Sequence, residues 1–196
     1  MGKIISILLV SIQFCFAQSV VDFVNEYTID NYDTIFKEII YVSVKSQKMY
    51  HIQNNEINSV YRISTAKKGV GNIQNSDKTP TGLHQIKEKH GDKTPLNGRM
   101  IGRVFYGQIA TIYQDTTSSK TDDITTRILW LDGLEKNINK GGMVDSYNRY
   151  IYIHGTSEEG KIGTPASHGC IRMINTEVLE FYNKIPLYTK ILILDK

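Results

Sequence analysis

The chain has 196 residues, 40% of them apolar and 22% charged, with a formal charge of +3 and only four prolines. That length suits one domain with a core of its own, and that composition excludes a disordered or collagen-like chain. So small a positive surplus gives no electrostatic footprint for nucleic acid, although it is compatible with an anionic polymer.

Met1-Gly2-Lys3 leads into an apolar run from Ile4 to Ile12, followed by Cys15-Phe16-Ala17 and Gln18. A positive start, a short hydrophobic stretch and a small residue read as a signal peptide over residues 1–17. The run is shorter than a bilayer crossing needs, so an exported chain without a transmembrane span is expected once it is removed. Setting Lys3 aside leaves a charge of +2. A buried first strand and a lipid anchor on Cys15 are the alternatives at this end, and the bulky Gln13-Phe14 pair counts against the anchor.

Residues 18–38 form a lead-in segment. Val20, Val21, Phe23, Val24 and Tyr27 predict a short helix that packs on the main domain, which spans 39–196. The runs 39–44, 48–52 and 58–65 read as an antiparallel meander, with Asn54-Asn55 as a turn signal. His51 falls in an alternating strand and reads as a half-exposed sheet residue, not a ligand. The stretch 67–72 is Gly-rich, but its spacing fits neither a Walker loop nor a dinucleotide fingerprint. Thr79-Pro80-Thr81-Gly82 predicts a tight turn before a short strand at 83–87, and 88–98 reads as loop.

Residues 103–113 carry mixed strand and helix signals, 115–123 a polar surface loop, and 125–131 a buried strand. Another loop covers 137–146. Loops of this length in a compact domain are candidates for a lid. A strand at 149–154 is expected to leave the sheet at Gly155. Asn175 is placed to cap a helix over 176–184 with Val178, Leu179, Tyr182 and Ile185 on one face, and 188–194 closes the chain as a strand. The class is mainly β with minor α, in one catalytic-sized domain with one late helix.

Cys15 lies in the segment to be removed, which leaves Cys170 as the lone thiol. Export would expose that thiol to oxidation, so its presence calls for a reason; a buried, inert cysteine is the alternative. Cys170 stands two residues after His168 and sixteen after His154, as an activated nucleophile would. An imidazole can take the thiol proton and later return it to a leaving group. His154 sits on a different element from the cysteine and is the expected base, with His168 supporting it or contacting substrate. Gly169 permits close approach of substrate, and the Gly169 and Cys170 amides are candidate donors to an oxyanion. Arg172 offers a fork for a carboxylate or carbonyl, or forms a structural ion pair. No acid stands out as a third member, and a backbone carbonyl could orient the histidine as well. A zinc site of His154, His168 and Cys170 was weighed against this, but the spacing fits no zinc motif.

The pattern His154-Gly155, eleven intervening residues, then Ser167-His168-Gly169-Cys170-Ile171-Arg172 resembles the L,D-transpeptidase (YkuD) catalytic domain. Residues 39–83 are similar to that family's opening strands and its Pro-Thr-Gly turn, and the resemblance covers roughly 39–195. It implies a β-sandwich-like mixed sheet with a groove under a lid formed by long loops. It also implies a reaction on peptidoglycan stem peptides, as donor and acceptor. The cysteine attacks the L-centre carbonyl, commonly of meso-diaminopimelate, in a tetrapeptide stem; D-alanine leaves, and the thioester passes to an amine, giving a 3→3 crosslink or attachment of a protein or D-amino acid. Carried over by position, Cys170 is the nucleophile and His154 the base, with Ser167, His168, Gly169, Arg172 and Gly155 around them. The resemblance further implies a monomer in the periplasm or cell envelope of a bacterium. An L,D-carboxypeptidase with the same Cys-His site and a non-catalytic wall-binding or thiol-sensing protein are the alternatives.

Overall fold

β-branched and aromatic runs in the first third fold as an antiparallel meander, β1 (Glu38–Ser43), β2 (Lys48–Gln53) and β3 (Glu56–Arg62). Asn54 and Asn55 turn the chain between β2 and β3 with φ of 54° and 62°, the left-handed pair a tight hairpin needs. The computed structural model describes residues 19–196, so the signal-peptide reading of 1–17 and Cys15 lie outside the described residues.

The sheet then continues out of chain order. The last strand, β10 (Lys190–Leu194), lies parallel to β1, and β4 (Gly82–His90) pairs antiparallel with β10. The long strand β7 (Ile124–Gly133) follows, antiparallel to β4. It also carries a hairpin of β5 (Gly98–Ile101) and β6 (Val104–Ile109), and β8 (Tyr152–Thr156). Parallel to β8 runs β9 (Ile171–Met173). Past β3, Ser64 exchanges two backbone hydrogen bonds of 2.9 Å with Arg172 of β9. The mixed sheet thereby curls back on its first hairpin, and the chain that carries the lone thiol is stitched into the framework at its far edge.

Period-2 alternation decides what each face buries. One face sends Ile40, Val42, Leu129, Leu131, Ile153, Ile171 and Met173 into the main core, closed by helix α2 (Asn175–Lys184). Val178 and Phe181 of α2 are completely buried, and Phe181 meets Tyr61 edge-on at 5.5 Å. Each such side chain contributes about 1.5–3 kcal/mol of transfer free energy. The opposite face of β1, β2 and β10 is covered by helix α1, described from 19 to 32, through Val21 and Val24 against Ile39, Tyr41 and Tyr50. The lead-in is thus a full helix of the domain. Among the described residues no helix is long and apolar enough to cross a membrane.

Several local expectations are corrected. His51 is 1% exposed and pairs with Glu38 Oε1 at 2.8 Å, because a partner carboxylate allows a polar ring to be buried. Strand β4 runs on to His90 where a loop was expected, and 98–109 is a hairpin rather than a mixed segment. Gly155 remains inside β8. Asn175 does not cap α2: Ile174 holds the cap position with no side-chain bond. The Asn175 amide donates to Thr156 O at 2.8 Å, and its oxygen accepts from the Thr125 and Thr126 hydroxyls, both at 2.6 Å. A buried amide satisfied in this way knits β7 to β8, a stronger claim on the side chain than one helix terminus.

Candidate active site

The register of β8 and β9 sets the site. Ile153 lies opposite Ile171, and His154 opposite Arg172. Ile153, Ile171 and Met173 face the main core, so Tyr152, His154, Cys170 and Arg172 share the other face. Cys170 comes just before β9, one step from the His154–Arg172 pair. Positions 154 and 170 are therefore diagonal to each other across the paired chain segments, on the same face.

The thiol is held by backbone on both sides. Cys170 Sγ accepts from the Tyr152 amide at 3.4 Å and donates to the Tyr150 carbonyl at 3.4 Å. Cys170 keeps partial exposure but packs beside Met100, Trp130 and Tyr152. Burial pushes its thiol up to about 11, the Tyr152 amide opposing that shift. His154 is 2% exposed. Its Nδ1 lies 2.7 Å from the Gly155 carbonyl, which can only accept, so Nδ1 carries the proton and Nε2 is left as the basic nitrogen. Burial drops this imidazole to about 4. At neutral pH both groups are uncharged, a thiol and a neutral base on one face.

The turn before the nucleophile is tightly braced. Ser167 Oγ donates to the Cys170 carbonyl at 2.6 Å and accepts from the Gly169 amide at 3.2 Å. That leaves the Cys170 amide as the better placed of the two expected oxyanion donors. Gly169 has φ +136°, a conformation that side chains rarely adopt, so glycine suits this position. Thr79, in the turn singled out from sequence, donates through Oγ1 to the Gly169 carbonyl at 3.0 Å. Gly155 is required by packing: a Cβ would fall 2.5 Å from Asn175 Oδ1 and 2.9 Å from Thr125 O.

Arg172 behaves as a structural residue. It is 2% exposed, bonds Glu158 Oε2 at 2.9 Å and pairs with Asp122. Asp122, at φ 45°, also bonds His168 Nδ1 at 2.7 Å. The guanidinium of Arg172 draws this carboxyl below the usual range against the opposing effect of burial, and the bond from His168 assists. His168 is exposed and lies in the wall of two clefts. One, about 430 Å³, is lined by Lys67, Lys161, Thr164 and Arg172; the other, about 210 Å³, by Asn75, Asp77, Arg149 and Tyr150.

The β5–β6 hairpin packs beside the thiol, Met100 and Phe105 sharing a cluster with Cys170. Arg103 at its tip lies 4.5 Å over the Trp130 ring and donates to the Tyr152 hydroxyl at 3.3 Å. The loop at 115–123 braces that hairpin, Asp123 pairing with Arg99 at 2.8 Å. Among the described residues, no group of histidine, cysteine and carboxylate side chains is arranged to hold a metal ion. Sequence reasoning missed Asp122, Glu158, Thr79 and Arg149. Only Thr79 carried a signal, through its turn.

A family model described as the L,D-transpeptidase catalytic domain matches residues 37–193. The Bacillus subtilis (strain 168) protein YqjB is 49% identical over 47 residues, 24% of this chain and 27% of that protein. YbiS of Escherichia coli (strain K12) is 34% identical over 59 residues, 30% of this chain and 19% of that protein. The matched stretches thus span about a fifth to a quarter of these relatives. Among solved structures, the L,D-transpeptidase of Xylanimonas cellulosilytica aligns with a TM-score of 0.51 at 13% identity, covering 86% of this chain and 68% of that one. Bd1075 of Bdellovibrio bacteriovorus aligns with a TM-score of 0.50 at 17% identity, covering 84% and 50%. These likenesses establish the shared fold.

Proposed function

This chain belongs to the YkuD family of L,D-transpeptidase catalytic domains, and we propose that it is a cysteine-dependent acyltransferase of the bacterial cell envelope acting on peptidoglycan stem peptides. The observation that carries the reading is the shared face of β8 and β9. It puts the lone described thiol diagonal to an imidazole whose Nδ1 proton is committed to the Gly155 carbonyl.

The chemistry follows from that tautomer. Cys170 Sγ bonds to the L-centre carbonyl carbon of a tetrapeptide donor while its proton moves to His154 Nε2. The Cys170 amide faces the developing oxyanion. The C–N bond breaks, His154 returns the proton to the amine of departing D-alanine, and a thioester remains. An acceptor amine then attacks the thioester and gives a proton through His154 back to sulfur, leaving a 3→3 crosslink and the free thiol. Water attacking the thioester in place of the amine would give a tripeptide instead.

The test is product analysis with tetrapeptide muropeptides. Wild type releases D-alanine, carries a thioester on Cys170 by mass spectrometry and yields crosslinked dimer; Cys170→Ala does none of these while keeping its fold. Absence of both D-alanine release and the thioester from folded wild type would reject the enzymatic reading. Free tripeptide without dimer would assign a carboxypeptidase instead.

A further inference from the structure

Two arginines flank the thiol, and their charges are not equally available. Arg172 is offset by Glu158 at 2.9 Å and by Asp122. Lys161, in the same cleft, is offset by Glu158 at 3.1 Å. Arg149 is different. Its Nη1 and Nη2 donate to the carbonyls of Asn72 at 3.0 Å and Lys78 at 2.7 Å, which fixes the guanidinium without neutralising it. Burial lowers the Arg149 guanidinium from its ordinary value, opposed only by Cys170 in its thiolate form. Half-burial without a carboxylate partner is costly for a cation unless an anion comes to it.

Arg149 lines the smaller cleft, about 210 Å³, with Asn148, Tyr150, Ile151, Gln74, Asn75, Asp77 and His168. The carboxylate of that lining, Asp77, is already engaged by Lys68 at 2.8 Å. Tyr150 is the residue whose carbonyl accepts from the Cys170 thiol, so one residue of the cleft wall also holds the sulfur. Its volume lies below the roughly 300–1,000 Å³ of a drug-sized ligand site and suits one small polar residue. Two of the five N–H donors of Arg149 are used by the carbonyls, and the others can meet a carboxylate.

We propose that this cleft is the leaving-group subsite, in which Arg149 receives the free α-carboxylate of the C-terminal small D-amino acid of the donor. The proposal rests on the acyltransferase reading above. It makes the protein selective for a stem that ends one residue beyond the attacked carbonyl, since a longer or amidated stem brings no carboxylate to Arg149.

The test uses the thiol itself and needs no turnover. Cys170 is alkylated with neutral iodoacetamide and anionic iodoacetate in wild type and Arg149→Gln. The iodoacetate-to-iodoacetamide rate ratio is expected to fall roughly tenfold or more in the variant, as loss of a charge-assisted bond implies, and the ratio cancels any change in thiolate fraction common to both reagents. An unchanged ratio overturns the proposal. Because Arg149 also braces 72–78, a second arm keeps to wild type: D-alanine should slow modification by iodoacetamide, and D-alaninamide should not. Equal protection by both, or by neither, overturns it. Anion-selective alkylation in a protein that never releases D-alanine would reject the acyltransferase reading while leaving the anion site in place.

Discussion

A thiol raised to about 11 makes a quantitative statement about reactivity. Take iodoacetamide modification of Cys170 at pH 7. A free cysteine thiol titrates near 8.5, so about 3% is thiolate; a group at about 11 has roughly one part in ten thousand, some 300-fold less. The more basic thiolate is intrinsically more nucleophilic, and a Brønsted slope of about 0.4–0.5 returns a factor of roughly 10–20. The net expectation is modification about 15–30-fold slower than free cysteine at the same pH, rising about tenfold per pH unit up to roughly pH 10. The rate is read by mass spectrometry on the Cys170 peptide under excess reagent. Modification faster than free cysteine at pH 7, or a plateau below pH 9, would show a resting thiolate–imidazolium pair and refute burial as the dominant influence on this sulfur.

Acid stability tests the same burial on the imidazoles. His84 and His154 are both depressed to about 4 in the folded state, burial being the main cause, against about 6.5 unfolded. The unfolded chain therefore binds protons that the folded chain refuses, so stability is fully present above about pH 6.5 and is lost as pH falls to about 4, by roughly 3 kcal/mol per imidazole. Urea titrations across that window measure it, and flat stability from pH 7 to 4 would contradict the assignment. Glu158→Gln leaves the buried Arg172 with Asp122 as its remaining carboxylate, and should cost about 1–3 kcal/mol. A change in denaturation free energy below about 1 kcal/mol would mean that Arg172 is held by Asp122 and its backbone alone.

The candidate site residues were legible because they are written locally: Ser167, His168, Gly169 and Cys170 are contiguous, and His154 ends an Ile/Tyr-rich run with a clear period. The class and most of the strands were legible for the same reason. What stayed hidden depends on contacts between distant segments. The β5–β6 hairpin turns through Gly102 and Arg103 with φ of 55° and 70°, and an arginine in the left-handed region gives no turn signal. Asp122 sits in a run of Ser, Thr and Asp without periodicity, yet the fold brings it to both Arg172 and His168. Asn175 had the right type and place for a helix cap, and was claimed instead by two threonine hydroxyls 49 and 50 residues away. Propensity gave way to the need to satisfy a buried polar group.

The protonation states also order the events of the proposed acyl transfer. Moving a proton from a thiol at about 11 to an imidazole at about 4 spans about 7 pK units, at most roughly 10 kcal/mol, an upper figure because Cys170 is still partly open to solvent. A turnover of about one per second corresponds to a barrier of about 17 kcal/mol, so a separate ionisation step would consume more than half of it before any carbon–sulfur bond formed. Proton transfer to His154 Nε2 should therefore accompany attack on the carbonyl. The negative charge then passes from sulfur to the developing oxyanion, where the Cys170 amide can stabilise it. A solvent isotope effect above about 2 on acylation, measured with a chromogenic thioester-forming substrate, is the expected signature. An effect near unity together with a flat pH–rate profile from 6 to 9 would place ionisation before attack and invert this order.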